Sequence, residues 1–328
     1  MSAARPITSL AVLASLSLAM TACSASAPET TATTSAATTV TVEDNNGTET
    51  VQLPPHSVVA LDNRTFETLA DWGVKLSAAA VTLMPATVSY KSDASIVDIG
   101  LHTEPNLEAL VAVEPDLIIN GQRFSQHQQA ITELVPDATV LDLEPREGEP
   151  FDEELKRQVT TLGEVLGKQD EAKELVDELD EAIERARAAY DDADTVMAVS
   201  TSGGEIGYLA PSVGRTLGPA YDILGLTPAL EVADASDNHR GDDISVEAIA
   251  AANPDWLLVM DRDAAIAADD PDYAPASDIL ENSEALTGVT AIQEDRLVYM
   301  PADTYSNEGI QTYIEFFNDF ADALEGAA

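Results

Sequence analysis

The most constraining feature of this sequence is an internal repeat, because one helix–turn–strand pattern occurs in both halves of the chain. Residues 106–119 read NLEALVAVEPDLII, and residues 245–258 read SVEAIAAANPDWLL. At a single constant offset, Glu108 matches Glu247 and the two Pro-Asp turns coincide. Each copy joins an amphipathic stretch to a short apolar run, as in the units of a parallel sheet. The repeat therefore predicts two α/β units.

Short apolar runs elsewhere in the chain extend this alternation of helices and strands. Six runs read as buried strands, at 58–61, 117–119, 139–141, 196–199, 256–259 and 297–299. Amphipathic stretches that read as helices lie at 65–72, 107–113 and 246–252. Buried apolar strands that alternate with helices are typical of α/β proteins with parallel sheets.

One segment, residues 151–192, interrupts the alternation because it contains no proline and no strand pattern. Its apolar residues recur at roughly helical spacing, and Gly163 and Gly167 are points where a helix could break. We therefore predict that a long helix or a broken helix pair joins an N-terminal lobe at 40–150 to a C-terminal lobe at 193–328. The predicted fold class is α/β, with two Rossmann-like lobes.

The start of the chain has the pattern of a secretory signal. Arg5 precedes an apolar run at 7–22 that is too short to span a membrane, and small residues lead into the single cysteine, Cys23. This arrangement resembles a bacterial lipobox. We predict a signal peptide at 1–22, lipid attachment at Cys23 and a flexible, lipidated Ser/Ala/Thr-rich tether at 23–39. The alternative is an ordinary signal peptide with a chance cysteine.

These features predict an extracytoplasmic protein that is lipid-anchored to the cell membrane, either on the cell surface or in the periplasm.

The composition of the chain limits the classes of molecule that it can bind. The chain has 59 acidic and 16 basic residues, for a net charge of -43. Because phosphate binding needs a basic surface, nucleic acid is excluded as a partner. The single cysteine also excludes an internal disulfide framework and a multi-cysteine metal site, and the four scattered histidines leave little for a metal site built from histidines.

In so acidic a chain, the positions of the few arginines are informative. Arg64, Arg123 and Arg262 each follow a predicted strand. Arg215 lies between a strand region and a helix, and Arg240 sits beside His239 in a polar loop. Ligands of open α/β sheets bind at the carboxyl ends of the strands. Because the guanidinium is planar, always charged and rich in donors, these residues predict an anionic ligand with flat or chelating oxygen groups. The alternative for each arginine is a surface ion pair.

Two further residues are candidates for contact with the ligand. His239 lies in the polar loop Asn-His-Arg-Gly, where it could bind a metal or an anion. Tyr305 follows the last predicted strand and precedes the last helix, so it should face the same cleft. A phenolate is a hard oxygen ligand suited to ferric iron. We therefore treat His239 and Tyr305 as candidate metal ligands.

The chain resembles the substrate-binding lipoproteins of ABC importers for iron–siderophore complexes, in particular the catecholate-binding branch. The resemblance covers about residues 40–325. It is carried by the segment 106–119, by Gly-Arg-Thr-Leu-Gly at 214–218 and by Pro-Asp-Trp-Leu-Leu-Val-Met-Asp-Arg at 254–262. It implies the type III periplasmic-binding-protein fold, in which a single long helix connects two lobes.

The resemblance also implies roles for individual residues. In the catecholate-binding branch, arginines from both lobes contact the anionic oxygens around ferric iron, and Arg215, Arg262 and, less closely, Arg123 match such positions. His239 resembles a histidine that can complete iron coordination together with a tyrosine, here Tyr305.

Two glutamates complete the resemblance. Glu108 and Glu247 resemble the paired residues, one in each lobe, that dock on arginines of the permease. The alternative to docking is that each residue is an ordinary exposed glutamate on a helix.

The predicted function is that of the substrate-binding component of an ABC importer, which captures an anionic ferric siderophore between its lobes and delivers it to the permease. We expect a monomer that has no cofactor and is not an enzyme, since the sequence has neither a nucleophile elbow nor a phosphate-binding loop. The alternatives are a lipoprotein of the same fold that binds haem or another metal chelate such as cobalamin, and a structural or sensory lipoprotein. Zinc and manganese are disfavoured because there is no histidine-rich loop.

Overall fold

A computed structural model describes residues 38–327 of the chain. The predicted signal peptide, the lipid-attachment residue Cys23 and nearly all of the predicted tether lie outside the described residues. Among the helices that are described, none combines the length and the apolar character needed to cross a membrane.

The first part of the described chain forms a hairpin and a five-stranded sheet. Its strands are β1 (Thr38–Asp44), β2 (Gly47–Leu53), β3 (Val58–Ala60), β4 (Leu76–Ala79), β5 (Val97–Asp98), β6 (Leu117–Asn120) and β7 (Thr139–Asp142). Its helices are α1 (Phe66–Asp71), α2 (Leu107–Ala112) and α3 (Gln128–Leu134). Strands β1 and β2 pair antiparallel, whereas the sheet is entirely parallel in the order β5-β4-β3-β6-β7.

Two helices, α4 (Phe151–Leu166) and α5 (Gln169–Ala189), then lead to the second sheet. Its strands are β8 (Thr195–Ser202), β9 (Glu205–Leu209), β10 (Thr227–Pro228), β11 (Trp256–Asp261) and β12 (Leu297–Tyr299). The accompanying helices are α6 (Gly218–Leu224), α7 (Val246–Ala252), α8 (Arg262–Ile266), α9 (Ala276–Glu281), α10 (Thr290–Gln293) and α11 (Ile310–Ala327). The parallel order is β10-β8-β11-β12, and β9 pairs antiparallel with β8.

The predicted α/β fold class, with two lobes built on parallel sheets, is therefore confirmed. All six predicted strands and all three predicted helices are present. The antiparallel strand β9 was not predicted. It follows β8 through the glycine pair at 203–204, both in the left-handed region of φ, which allows the tight reversal of the chain.

The repeat in the sequence has a structural reason. In each copy the aspartate of the Pro-Asp turn holds the start of the neighbouring strand. Asp116 accepts hydrogen bonds from the backbone N–H groups of His56 and Ser57 at 2.7 and 2.9 Å. Asp255 accepts from the backbone N–H and the hydroxyl of Thr195, both at 2.8 Å. The repeated turn therefore sets the register of the strand pair at the middle of each sheet.

The connection between the sheets corrects one expectation of the sequence. It is not the single long helix that the resemblance implies but the broken pair α4 and α5. Gly167 ends α4 in the left-handed region, at φ 69°, and the backbone N–H of Lys168 bonds to the carbonyl of Gly163 at 2.8 Å. Both helices contact α11, whose aromatic face packs against them. The connection is thus part of the main core.

We expect Gly163→Ala to lower the free energy of unfolding by about 1–3 kcal/mol, because an added methyl group overpacks the contact between α4 and α5. A Cβ atom at Gly163 would lie 2.6 Å from Cβ of Ala172 and 3.0 Å from the carbonyl oxygen of Lys168. The control is Gly326→Ala in α11, where no atom lies within 4 Å and the gain in helix propensity is about 1 kcal/mol at most. Urea denaturation measures both, and equal stability of the two variants would contradict this packing.

Candidate functional site

Three of the predicted arginines converge on the ring of Tyr305. The Cζ atoms of Arg123, Arg215 and Arg262 lie 4.7, 5.7 and 4.5 Å from the ring centroid. These distances are within the range of cation–π attraction. We call these three arginines, together with Tyr305, the arginine cluster. Its members come from both sheets, so the cluster lies in the cleft between the lobes.

Each member of the cluster lies in a loop or short helix that comes directly after a strand. Arg123 is in the short helical turn after β6, and Arg262 is the first residue of α8, directly after β11. Arg215 is in the loop between β9 and α6, and Tyr305 is in the loop between β12 and α11. Because the parallel strands β6, β11 and β12 all end here, their loops meet where such sheets bind ligands.

Two glycines allow these loops to approach their neighbours closely. A Cβ atom at Gly121 would lie 2.8 Å from Oδ2 of Asp62, and one at Gly214 would lie 2.5 Å from the backbone nitrogen of Ala210. Gly121 is two residues before Arg123, and Gly214 directly precedes Arg215. A larger residue at either position would therefore displace an arginine of the cluster.

The guanidinium groups of the cluster are only partly neutralised by carboxylates. Arg262 pairs with Asp263 at 3.1 Å and donates to the hydroxyl of Ser202 at 3.2 Å. Its Nε is buried and has no partner among the described residues. Arg123 donates to the backbone carbonyl of Tyr305 at 3.0 Å, and in the described part of the chain no carboxylate pairs with it. The cluster therefore has donors free for a ligand.

Arg64, also predicted to contact the ligand, lies between the buried carboxylate of Glu308 and the partly exposed carboxylate of Glu144, and it makes no contact with the Tyr305 ring. Its guanidinium lies 3.2 Å from Oε2 of Glu308 and 3.7 Å from Oε1 of Glu144. The side chain of Glu308 is only 3% exposed, accepts from the hydroxyl of Thr216 at 2.7 Å and lies 3.6 Å from Arg215. Glu308 thus links Arg64 to the cluster.

Charge explains how Glu308 stays ionised although it is buried. Burial raises its pKa, but the charges of Arg64 and Arg215 and the hydrogen bond from Thr216 outweigh burial and hold the pKa below its usual range. Sequence reasoning missed Glu308 because no local pattern separates a buried carboxylate from the many exposed ones in this chain. Only the fold brings it between two arginines.

His239 and Arg240 are adjacent in sequence but differ in environment. The imidazole centroid of His239 lies 6.2 Å from the Tyr305 centroid, next to the cluster. Burial, followed by the charges of Arg262 and Arg215, lowers the pKa of His239, so the imidazole is neutral at pH 7 and able to act as a ligand. Both residues are exposed, and Arg240 lines a cavity with Glu205 and other acidic residues. The structure therefore places His239 beside the Tyr305 ring, whereas no described contact joins Arg240 to that ring.

Glu108 and Glu247 occupy equivalent positions in the two lobes. Each is the second residue of its helix, α2 or α7, and each side chain is exposed. The preceding caps match as well, since Asn106 and Ser245 each accept from the backbone N–H three residues later. Two carboxylates on related helices suit a partner with two basic sites.

Tyr305 is the tyrosine that we expect to ionise first. Burial raises its pKa, but hydrogen bonds and charge from Arg123 and Arg262 outweigh burial and bring the pKa below its usual value, about 10. Burial raises the pKa of six other tyrosines, among them Tyr208 and Tyr299, both to about 12. A spectrophotometric titration of tyrosinate absorbance should show an early step.

That early step should disappear in Tyr305→Phe and move to higher pH in Arg262→Ala, because the cation that favours the phenolate is then lost. Tyr273→Phe is the control, since burial raises the pKa of Tyr273 to about 12 and its loss should leave the early step unchanged. If Tyr305→Phe titrates like the wild type, the electrostatics described for the cluster are wrong.

Comparison with known proteins agrees with this architecture. The petrobactin-binding protein YclQ of Bacillus subtilis is 25% identical over 287 residues, 86% of each chain. The ferric-anguibactin-binding protein FatB of Vibrio anguillarum is 28% identical over 230 residues, 69% of this chain and 70% of the relative. The structure of the periplasmic catecholate-siderophore binding protein VctP of Vibrio cholerae superposes with a TM-score of 0.75 at 20% identity and covers 86% of this chain and 99% of VctP.

The similarity to VctP shows a shared fold. A family model described as periplasmic binding protein matches residues 58–304, which include both five-stranded sheets and the three arginines of the cluster, and the match ends one residue before Tyr305. The chain belongs to the periplasmic binding protein family.

Proposed function

We propose that this protein captures an anionic ferric siderophore in the cleft between its lobes and presents it to the permease of an ABC importer. The observation that carries the proposal is the convergence of Arg123, Arg215 and Arg262 on Tyr305. In a chain with a net charge of -43, a group of cations with free donors in a cleft selects a negatively charged ligand. The two relatives named above are called binding proteins for petrobactin and for ferric anguibactin.

The chemistry of a ferric catecholate suits this site. Its deprotonated oxygens surround the metal and carry negative charge on a rigid, flat framework. Guanidinium groups can donate to such oxygens without deprotonation, and charge-assisted hydrogen bonds are stronger in a partly desolvated cleft. Binding then needs no catalytic step, and we propose no enzymatic activity and no resident cofactor.

His239 and Tyr305 give the site a second way to recognise iron. A neutral imidazole and a tyrosine with a lowered pKa could complete the coordination of an iron centre whose siderophore leaves positions open. The same pair favours haem or another metal chelate as the alternative ligand. A Soret band that appears when the protein is mixed with haemin, and that is lost in His239→Ala, would support that alternative.

The remaining assignments follow from the proposed role. We propose that lobes at 40–150 and 193–328 enclose the ligand, with the connecting segment at 151–192 between them. Glu108 and Glu247 would dock on basic residues of the permease, one lobe on each subunit. Lipid attached to Cys23 would hold the monomeric protein at the outer face of the cell membrane.

We expect the single replacements Arg123→Ala, Arg215→Ala and Arg262→Ala each to weaken the binding of a ferric tris-catecholate by about 2–5 kcal/mol, because each removes a charged contact in the cleft. Quenching of tryptophan fluorescence on titration measures the affinity. Arg185→Ala is the control, because Arg185 of α5 pairs with Asp322 and Glu325 of α11 and makes no contact with a member of the cluster.

The control should bind like the wild type. If the wild-type protein shows no quenching with any anionic ferric chelate at concentrations on the order of micromolar, the proposed function is wrong. If the three replacements bind as tightly as the control, the cluster is not the binding site.

A further inference from the structure

Glu308 pairs with an arginine from each lobe. Its Oε2 lies 3.2 Å from Nη2 of Arg64, in the loop between β3 and α1, and 3.6 Å from Nη2 of Arg215, in the loop between β9 and α6. Its own loop, between β12 and α11, carries Tyr305 three residues earlier. Glu308 is therefore a negative charge that both lobes hold next to the arginine cluster.

The carboxylate of Glu308 is fixed by hydrogen bonds as well as by charge. Its side chain is 3% exposed, and its Oε1 accepts from the hydroxyl of Thr216 at 2.7 Å. Thr216 lies in the left-handed region, at φ 71°, which is unusual for a β-branched residue. The carbonyl of Thr216 accepts from the hydroxyl of Tyr313 at 3.0 Å. Because such strain persists only where neighbouring groups fix the conformation, Glu308 and Tyr313 hold the turn that carries Arg215.

The electrostatic influence of Glu308 extends into the cluster. Burial raises its pKa, but the nearby arginine charges outweigh burial and lower it, with Arg64 first, followed by Arg215 and Arg123. Coulomb interactions are mutual, so the same carboxylate lowers the positive potential that Arg215 and Arg123 present to a ligand. Because Glu308 is buried, salt and water screen this effect only weakly.

Arg64 opposes the effect of Glu308 from outside the cluster. Its side chain is 11% exposed, and its second carboxylate partner, Glu144, is 34% exposed and 3.7 Å away. Removal of Glu308 alone would therefore leave Arg64 and Arg215 with less compensating charge. Removal of Arg64 alone would leave a surplus of negative charge. The two residues thus have opposite effects on one potential.

We propose that Glu308 is a specificity-determining residue, which sets the positive potential of the arginine cluster and thereby the ligand charge that the cleft prefers. This inference rests on the proposed function and deepens it. The carboxylate reduces the advantage that a more negative chelate has over a less negative one of the same shape, whereas Arg64 increases that advantage.

Two chelates that differ in charge but hardly in shape test the proposal. One hexadentate tris-catecholamide forms a trianionic complex with iron(III) and a dianionic complex with titanium(IV). The measured quantity is the ratio of their affinities at low salt, from the quenching of tryptophan fluorescence. A unit charge about 10 Å away, at an effective dielectric constant of about 40, changes this ratio about fourfold.

Glu308→Gln should raise the preference for the trianion about fourfold, and Arg64→Gln should lower it by a similar factor, about fourfold. The double variant Arg64→Gln/Glu308→Gln removes both charges and should return the ratio to within about twofold of the wild-type value. A purely structural role would weaken the binding of both complexes alike and leave the ratio unchanged in all three variants, which would overturn the proposal.

Glu308→Gln also removes one partner of a buried ion pair, which lowers stability. The comparison of the double variant with Arg64→Gln measures the effect of Glu308 without an unpaired buried arginine at position 64. In that comparison too, loss of Glu308 should raise the preference for the trianion about fourfold. Thermal unfolding verifies that each variant is folded.

The matched control is the ion pair between Arg185 of α5 and Glu325 of α11, whose side chains are 37% and 52% exposed. Water and salt screen charges at such a site. Arg185→Gln, Glu325→Gln and the double variant of this pair should all keep the wild-type ratio of affinities. A control variant that shifts the ratio as much as Glu308→Gln would contradict a specific role of Glu308.

A titration without ligand separates this inference from the proposed function. The tyrosinate step of Tyr305 should move to lower pH in Glu308→Gln and to higher pH in Arg64→Gln, because the phenolate responds to the same potential. If the wild type binds both complexes but Glu308→Gln shifts neither the ratio nor the step, the inference is wrong and the proposed function stands. If neither complex binds, the proposed function fails. Movement of the step in the two opposite directions then supports the role of Glu308, and an unmoved step overturns it.

Discussion

The structure of the cleft depends on holding three guanidinium groups around one aromatic ring. Like charges at such distances repel each other strongly when water is partly excluded. Two features of the fold reduce this repulsion. The electron-rich face of Tyr305 attracts each cation, and the buried carboxylate of Glu308 neutralises part of the charge of Arg64 and Arg215. The charge left over in the cluster is what an anionic ligand can satisfy.

The fold brings these groups together because the strands that precede them end at the same cleft. Strands β6, β11 and β12 of two parallel sheets end at the cleft, and the residues that follow them reach across to the other lobe. Arg123 donates to the loop of Tyr305, and Thr87 donates to Asp303 of the same loop. The segment between β12 and α11 therefore contributes to the cluster and to the contact between the lobes. We infer that a change in this segment would affect both.

Much of the fold could be predicted from the sequence because its signals are local. The repeat of helix, Pro-Asp turn and strand, with its strand-holding aspartates at 116 and 255, predicted two α/β lobes, which the structure confirms. The antiparallel strand β9 was missed because it is short, has Gly207 at its centre and follows β8 directly across a turn of two glycines. The break at Gly167 was one of two options, since a glycine in a helical pattern can either be tolerated or end the helix.

The site could be predicted only in part. Placement after a strand correctly singled out Arg123 and Arg262 as neighbours, because position at a strand end is a property of the local sequence. The same argument could not show that Arg64 forms an ion pair with Glu308, because Glu308 is more than two hundred positions away in the sequence. Nor could it separate Arg240 from its neighbour His239, because the direction of adjacent side chains in a loop depends on tertiary contacts. The roles of these residues in binding remain predictions.

The central claim, that charge in the arginine cluster selects the ligand, is tested most directly by changing the charge of the ligand without changing its shape. Tris-catecholate complexes of gallium(III) and germanium(IV) have the same ligands and nearly the same size, but the first is a trianion and the second a dianion. Calorimetric titration of the wild-type protein with both, at low and at high salt, isolates the electrostatic contribution. The account predicts weaker binding of the dianion, by about tenfold at low salt, with a smaller difference at high salt. Equal affinity for the two complexes at every salt concentration would contradict it.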